Sequence, residues 1–125
     1  MKKILLYLAT FAWALLIWRL TTTPDFSVTD DTVLSFILSN GGHFIFFGIL
    51  CALILFALPP RIWNLSSSIL AVAGSSLYGI VIELVQRNIP GRSADPFDWL
   101  LDTLGAVIFL AVVKKINLRI GEFKI

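Results

Sequence analysis

The side chains of this chain that could do chemistry fall in three places. His43 is the single histidine, Glu83, Gln86 and Arg87 form a second group, and Arg92, Asp95, Asp98 and Asp102 form a third. An imidazole beside carboxylates can move protons or share a cation, and the arginines can hold an anion. Ser76, Gly79, Glu83 and Gln86 follow one another at intervals of three, four and three residues, and Asp95, Asp98, Asp102 and Gly105 repeat those intervals. On a helix each set makes one narrow stripe. Small residues let such stripes approach closely, which would bring Glu83 and Gln86 near Asp98 and Asp102. Carboxylates gathered in a low dielectric cannot all stay ionised without a cation, an arginine or a shared proton, and Arg87 and Arg92 are the cations at hand.

The elements that must position these groups are legible from hydropathy. Of the 125 residues, 58% are hydrophobic and 14% charged, with a mean hydropathy of +0.89. Those proportions suit a chain dissolved in lipid, folded as one domain over 1–125. Four apolar segments approach the roughly 20 residues that cross a bilayer: 4–20, 43–58, 62–85 and 97–113. Pro24 and the acidic stretch 25–31 end the first, Pro59-Pro60-Arg61 separates the second from the third, and Pro90-Gly91, a type II turn pair, separates the third from the fourth. The first segment is too long for a signal-peptide core and lacks a small-x-small cleavage site, so it reads as an uncleaved helix. Thr29-Asp30-Asp31-Thr32 resembles a helix cap, and the apolar residues 33–38 after it are expected to form a short interfacial helix ending at Asn40-Gly41-Gly42. The expected fold is an all-α, multi-pass membrane bundle of about four transmembrane helices.

Charge sets the expected orientation. With both termini cytoplasmic, Lys2, Lys3, Arg61, Lys114, Lys115, Arg119 and Lys124 lie inside, against Arg19, Arg87 and Arg92 outside. Every acidic residue except Glu122 then falls on the outer half, and so does His43. Trp63 and Trp99 suit the interfacial aromatic belt.

Several of these residues also have ordinary explanations. Asp95-Pro96-Phe97-Asp98 is a helix start, with Asp95 as cap, Pro96 in the first helical position and Asp98 favoured by the helix dipole. Glu83 and Arg87 stand four apart and can pair along one helix. His43 can be a plain interfacial side chain. Asp102 fits none of these, because it lies about two turns, roughly 10 Å, beneath the outer surface. It calls for a proton or for Arg92 as a partner.

Other classes are excluded. A net charge of +2 without a basic cluster does not suit nucleic acid. Cys51 is the only cysteine, which rules out a disulfide framework or a cysteine-based metal site. No dense metal-ligand spacing is present, and no resident metal or cofactor is expected. Asn64-Leu65-Ser66 matches a glycosylation triplet but falls on the cytoplasmic side.

Three motifs together resemble the VanZ-like membrane proteins: Gly42-His43-Phe44-Ile45-Phe46-Phe47-Gly48; Tyr78-(x4)-Glu83-Leu84-(x)-Gln86; and Arg92-(x2)-Asp95-(x2)-Asp98-(x3)-Asp102-(x2)-Gly105. The resemblance spans residues 40–111. It implies a protein of the bacterial cytoplasmic membrane, from a family named for low-level teicoplanin resistance. It also implies an outward-facing polar site built from His43, Glu83, Gln86, Arg92, Asp95 and Asp98. Two positions depart from the family pattern: Asn40 stands where a lysine is frequent, and Asp102 where an asparagine is usual.

The leading expectation is a binding or accessory protein of the cell envelope. Its outer cleft would take a polar, anionic headgroup, a lipid-linked envelope precursor or the glycopeptide itself, with His43, Glu83, Gln86, Arg92, Asp95, Asp98 and Asp102 as ligand-binding residues. The alternative is a membrane enzyme acting on a lipid-linked phosphate or glycan at the outer leaflet. There the catalytic candidates are His43, Glu83 and Asp98, with His43 and Glu83 as acid and base and Asp98 and Asp102 holding a divalent cation. An ion-coupled transporter ranks last, since no inverted repeat or broken helix pair is visible. The lipid bilayer is the one certain partner, and a homo-oligomer is left open.

Overall fold

The computed structural model describes residues 2–24, 32–59 and 64–120. The described chain is helical apart from its turns: α1 (Lys2–Thr22), α2 (Thr32–Ala57), α3 (Leu65–Gln86) and α4 (Pro96–Ile120). All four are long and apolar enough to cross a membrane. Large apolar side chains cover their outer faces, with Leu5 63%, Phe11 64% and Leu65 74% exposed, which only a lipid environment tolerates on this scale.

Local chemistry sets the helix ends. Asp95 Oδ1 accepts the Phe97 N–H at 2.9 Å, so Asp95 caps α4 ahead of Pro96. Between α3 and α4, the Arg92 N–H donates to the Ile89 carbonyl at 3.1 Å, and Gly91 has φ 75°, the left-handed third position that makes Pro90-Gly91 a type II turn. Asn64 caps α3 by accepting the Ser67 N–H at 3.2 Å, so its place in a glycosylation triplet is incidental to a structural role.

One expected boundary is wrong. No break occurs at Asn40-Gly41-Gly42, and the separate interfacial helix over 33–38 is instead the first part of a continuous α2. Breaking a helix within lipid strands backbone N–H and C=O groups at several kcal/mol each, whereas a glycine kept in the helix costs about 1 kcal/mol. The capping residues Thr29, Asp30 and Asp31 lie outside the described residues, as do Pro60, Arg61, Trp63 and Lys124.

α2 is the central helix. Its contact with α4 is the most extensive, followed by α3 and α1. Ile17, Phe47, Leu50 and Ile82 form one buried cluster with Trp13, Trp18 and Tyr78 against it, and Cys51, Leu55, Ala71 and Ala106 form a second. Glycine sets the spacing of α2 and α4: a Cβ at Gly105 would collide with the Phe44 backbone, and one at Gly48 with the Phe109 ring. Hydrogen bonds between distant residues tie α1 in, among them those from Trp13 Nε1 to the Phe46 carbonyl (2.9 Å) and from the Tyr78 hydroxyl to the Ala14 carbonyl (2.7 Å).

Candidate functional site

The continuous α2 places His43 well inside the bundle rather than at a helix mouth. It stands eleven residues after Thr32, about 16 Å along the axis. Asp102 lies six residues past Pro96, about 9 Å below the start of α4. The close approach at Phe44 and Gly105 puts the two side chains together. His43 Nδ1 and Asp102 Oδ1 are 2.8 Å apart, with Asp102 fully buried. With the carboxylate ionised, Nδ1–H donates, and the Nε2 edge of the ring turns toward Asp98 Oδ2 at 3.6 Å. The expected pairing of Asp102 with Arg92 is therefore replaced by His43.

Glu83 completes the cluster from α3. Its Oε2 accepts the Asp95 N–H at 2.8 Å, which fixes the carboxylate against the start of α4. This bond takes the place of the expected Glu83–Arg87 pair, and Arg87 is exposed. Glu83 is only 8% exposed, and its Oε1 has no hydrogen-bond partner among the described residues. Asp102 Oδ2 is likewise buried without a partner, 2.7 Å from where a Cβ on Gly79 would lie. One ligand atom each from His43, Glu83 and Asp98 falls within 4.8 Å of the others.

The remaining expected site residues sit around this cluster. The Asp95 carboxylate is used as the helix cap, while its backbone holds Glu83. Gln86 faces α1, donating from Nε2 to the Thr21 carbonyl at 3.0 Å, rather than approaching Asp98 and Asp102. Arg92 closes the carboxyl end of α1, donating from Nη2 to Leu20 (2.9 Å) and from Nε to Thr23 (3.2 Å), where the exposed carbonyls of a helix end favour a cation. The two stripes meet only in part. Gly79 faces Asp102 and Ser76 bonds to Thr103 at 2.8 Å, but Gly105 faces α2.

His43 and Arg92 also line a cavity of about 250 Å³, whose other walls are mainly α1 and α2, including Ile17, Leu20, Thr21, Ser39 and Phe46. The sequence reading missed this cavity. Its polar wall residues carry no charge pattern, and only the uninterrupted helical phase from Ser35 through Ser39 and Gly42 to His43 and Phe46 points to one face. Trp13 was missed too, although a tryptophan away from both interfaces signals an indole N–H with a partner inside.

The family model described as VanZ/LLP1 matches residues 2–118. The chain belongs to the VanZ/LLP1 family. Neither a curated protein nor a solved structure matches it. In this VanZ/LLP1 member the three quoted motifs come from α2, from α3, and from the turn before α4 together with the first turns of α4. Their glycines and acids meet where those elements touch. The cluster they form can exchange a proton through the His43–Asp102 pair, or hold a cation between His43, Glu83 and Asp98.

Proposed function

We propose that this VanZ/LLP1 protein sits in the bacterial cytoplasmic membrane with both termini inside. Its working site, open to the outer face, binds the anionic headgroup of an envelope lipid or lipid-linked precursor. Engaging such a molecule alters sensitivity to lipophilic glycopeptides such as teicoplanin. The observation that carries this reading is the cavity in which His43 and Arg92 share walls with apolar side chains. Apolar walls suit a chain-bearing ligand, and one cation with one imidazole at the same opening suits a negative head. The excess of lysine and arginine at the opposite end of the bundle supports the orientation.

The direct test uses the purified full chain in detergent, with a polyprenyl phosphate, phosphatidylglycerol and phosphatidylcholine as probes in native mass spectrometry. The anionic probes are expected to remain bound, with retention lost in Arg92→Gln. Equal retention of phosphatidylcholine would refute the headgroup reading.

A second reading is an enzyme acting on a lipid-linked phosphate or glycan, and one observation favours it. The 2.8 Å contact between His43 and Asp102 fixes the imidazole's tautomer and direction, as a general base requires. Turnover of the polyprenyl phosphate probe, abolished by Glu83→Gln or His43→Gln, would establish it. No turnover across phosphate and glycan lipids would remove it.

A further inference from the structure

We propose that His43 Nε2, Glu83 and Asp98 bind one first-row divalent metal ion, Zn²⁺ or Mn²⁺, with Asp102 holding the imidazole in position from behind. The ion would sit beside the cavity on which the preceding reading rests, and shares only His43 with it. The argument for it stands on the cluster's geometry and not on what the cavity binds.

Four observations converge. The first is reach: the three ligand atoms lie within 4.8 Å of one another, and His43 Nε2 is already 3.6 Å from Asp98 Oδ2. An ion bonded at about 2.0–2.2 Å to each ligand spaces its ligands at roughly 3.3 Å, so small side-chain rotations close the site. The second is the tautomer. With Asp102 ionised, its Oδ1 accepts the proton on Nδ1, which leaves the lone pair on Nε2, the nitrogen 3.6 Å from Asp98 Oδ2. A histidine that ligates a metal almost always donates its other N–H to a carboxylate or carbonyl in this way.

The third is an unmet group. Glu83 is more than nine-tenths buried, and Oε1 has no partner among the described residues while Oε2 is held by the Asp95 N–H. A buried carboxylate oxygen without a donor is costly, and a metal bond satisfies it. The fourth is charge. Glu83, Asp98 and Asp102 bring carboxylates to one place inside the bundle, whereas Arg92, the cation that acts on Asp98, is engaged by the α1 carbonyls. A divalent ion on one imidazole and two carboxylates offsets the charges of Glu83 and Asp98 and leaves only that of Asp102, which the His43 N–H holds. Mixed imidazole and carboxylate donors suit Zn²⁺ and Mn²⁺ and give Cu⁺ no soft ligand. The ligand set thereby differs from a cation held by Asp98 and Asp102, because Asp102 Oδ1 is taken by His43.

The test uses the full chain in detergent, carrying an affinity tag without histidine, stripped with chelator and titrated with Zn²⁺ or Mn²⁺ alone. One ion per chain is expected by elemental analysis, and X-ray absorption at the metal edge should show a single imidazole. Since His43 is the only histidine, that signature assigns the site without any variant. Glu83→Gln and Asp98→Asn should lose binding, while Asp102→Asn should keep the one-to-one stoichiometry with affinity lowered by roughly 10–100-fold. Asp98 is the most exposed carboxylate of the cluster, at 19%, so Asp98→Asn remains informative if a more buried variant does not fold. Substoichiometric binding in the wild type, a metal edge without imidazole, or full affinity in Asp98→Asn would overturn the proposal. Lipid retention is read separately and without added metal, so either proposal can fail alone.

Discussion

Gly105→Ala tests whether the site depends on the close contact of α2 and α4. A Cβ at position 105 would lie 2.9 Å from the Phe44 carbonyl carbon and 3.0 Å from its Cα, and would press hardest on its oxygen. The obstacle is helix backbone, which cannot rotate aside. Relieving the oxygen contact, the tightest of the three, to van der Waals distance requires the helices to part by about 1 Å. Overpacking of this kind costs about 1–3 kcal/mol. The strain falls on the turn that carries the site, because His43 adjoins Phe44 and Asp102 lies one turn before Gly105. The 2.8 Å His43–Asp102 bond would lengthen toward the limit of hydrogen bonding, losing up to about 1.5–3 kcal/mol more. Against this, alanine gains about 1 kcal/mol of helix propensity. The net expectation is a destabilisation of about 1.5–5 kcal/mol.

Gly41→Ala is the control. It lies in the same helix as Phe44, but an added Cβ there meets nothing within 4 Å. It keeps only the propensity gain and should stabilise by up to about 1 kcal/mol. Equilibrium unfolding in mixed dodecylmaltoside and dodecyl sulfate micelles, followed by tryptophan fluorescence, reads both variants. Wild-type stability in Gly105→Ala, or shifts of the same sign in the two variants, would refute the claim that this contact sets the site.

Asp102→Asn keeps an oxygen for the His43 N–H and should lose little stability, whereas Asp102→Leu leaves that donor bare and should cost about 1–3 kcal/mol in the same unfolding assay. Tyr78→Phe removes the bond to the Ala14 carbonyl and should loosen α1 by about 0.5–1.5 kcal/mol, seen as faster proteolysis near Thr22 and an earlier unfolding midpoint. Asp95→Ala should cost about 1 kcal/mol through the lost cap, with Asp95→Asn close to neutral by the same measure. For orientation, a membrane-impermeant maleimide applied to intact cells should label Asn88→Cys in the α3–α4 turn and spare Ser66→Cys at the other end. Cys51 is fully buried and leaves the background silent, and the reverse labelling pattern would invert the map.

How much the sequence disclosed depended on the range of the interaction involved. Helix starts at Asp95-Pro96 and the Pro90-Gly91 turn are local: a side-chain cap and a backbone conformation fixed by adjacent residues. They read correctly for that reason. The Asn40-Gly41-Gly42 segment did not, because its local propensity for a break is outweighed by the cost of unpaired backbone in lipid, which no short window reveals. The choice of partners was also beyond the sequence. Arg87 stood at the right spacing for Glu83, and Arg92 was the nearest cation for Asp102. Yet Glu83 took a backbone N–H, Arg92 took the end of α1, and Asp102 took a histidine fifty-nine residues away.

By itself, then, the order of residues determined that the chain enters lipid, that four apolar helices cross it, and which polar groups have to be sheltered there, because hydropathy and capping act over a turn or two. The tertiary structure alone decided which of those groups face one another. That choice follows from glycines at positions 79 and 105, which let the helices approach until His43, Glu83, Asp98 and Asp102 form one cluster.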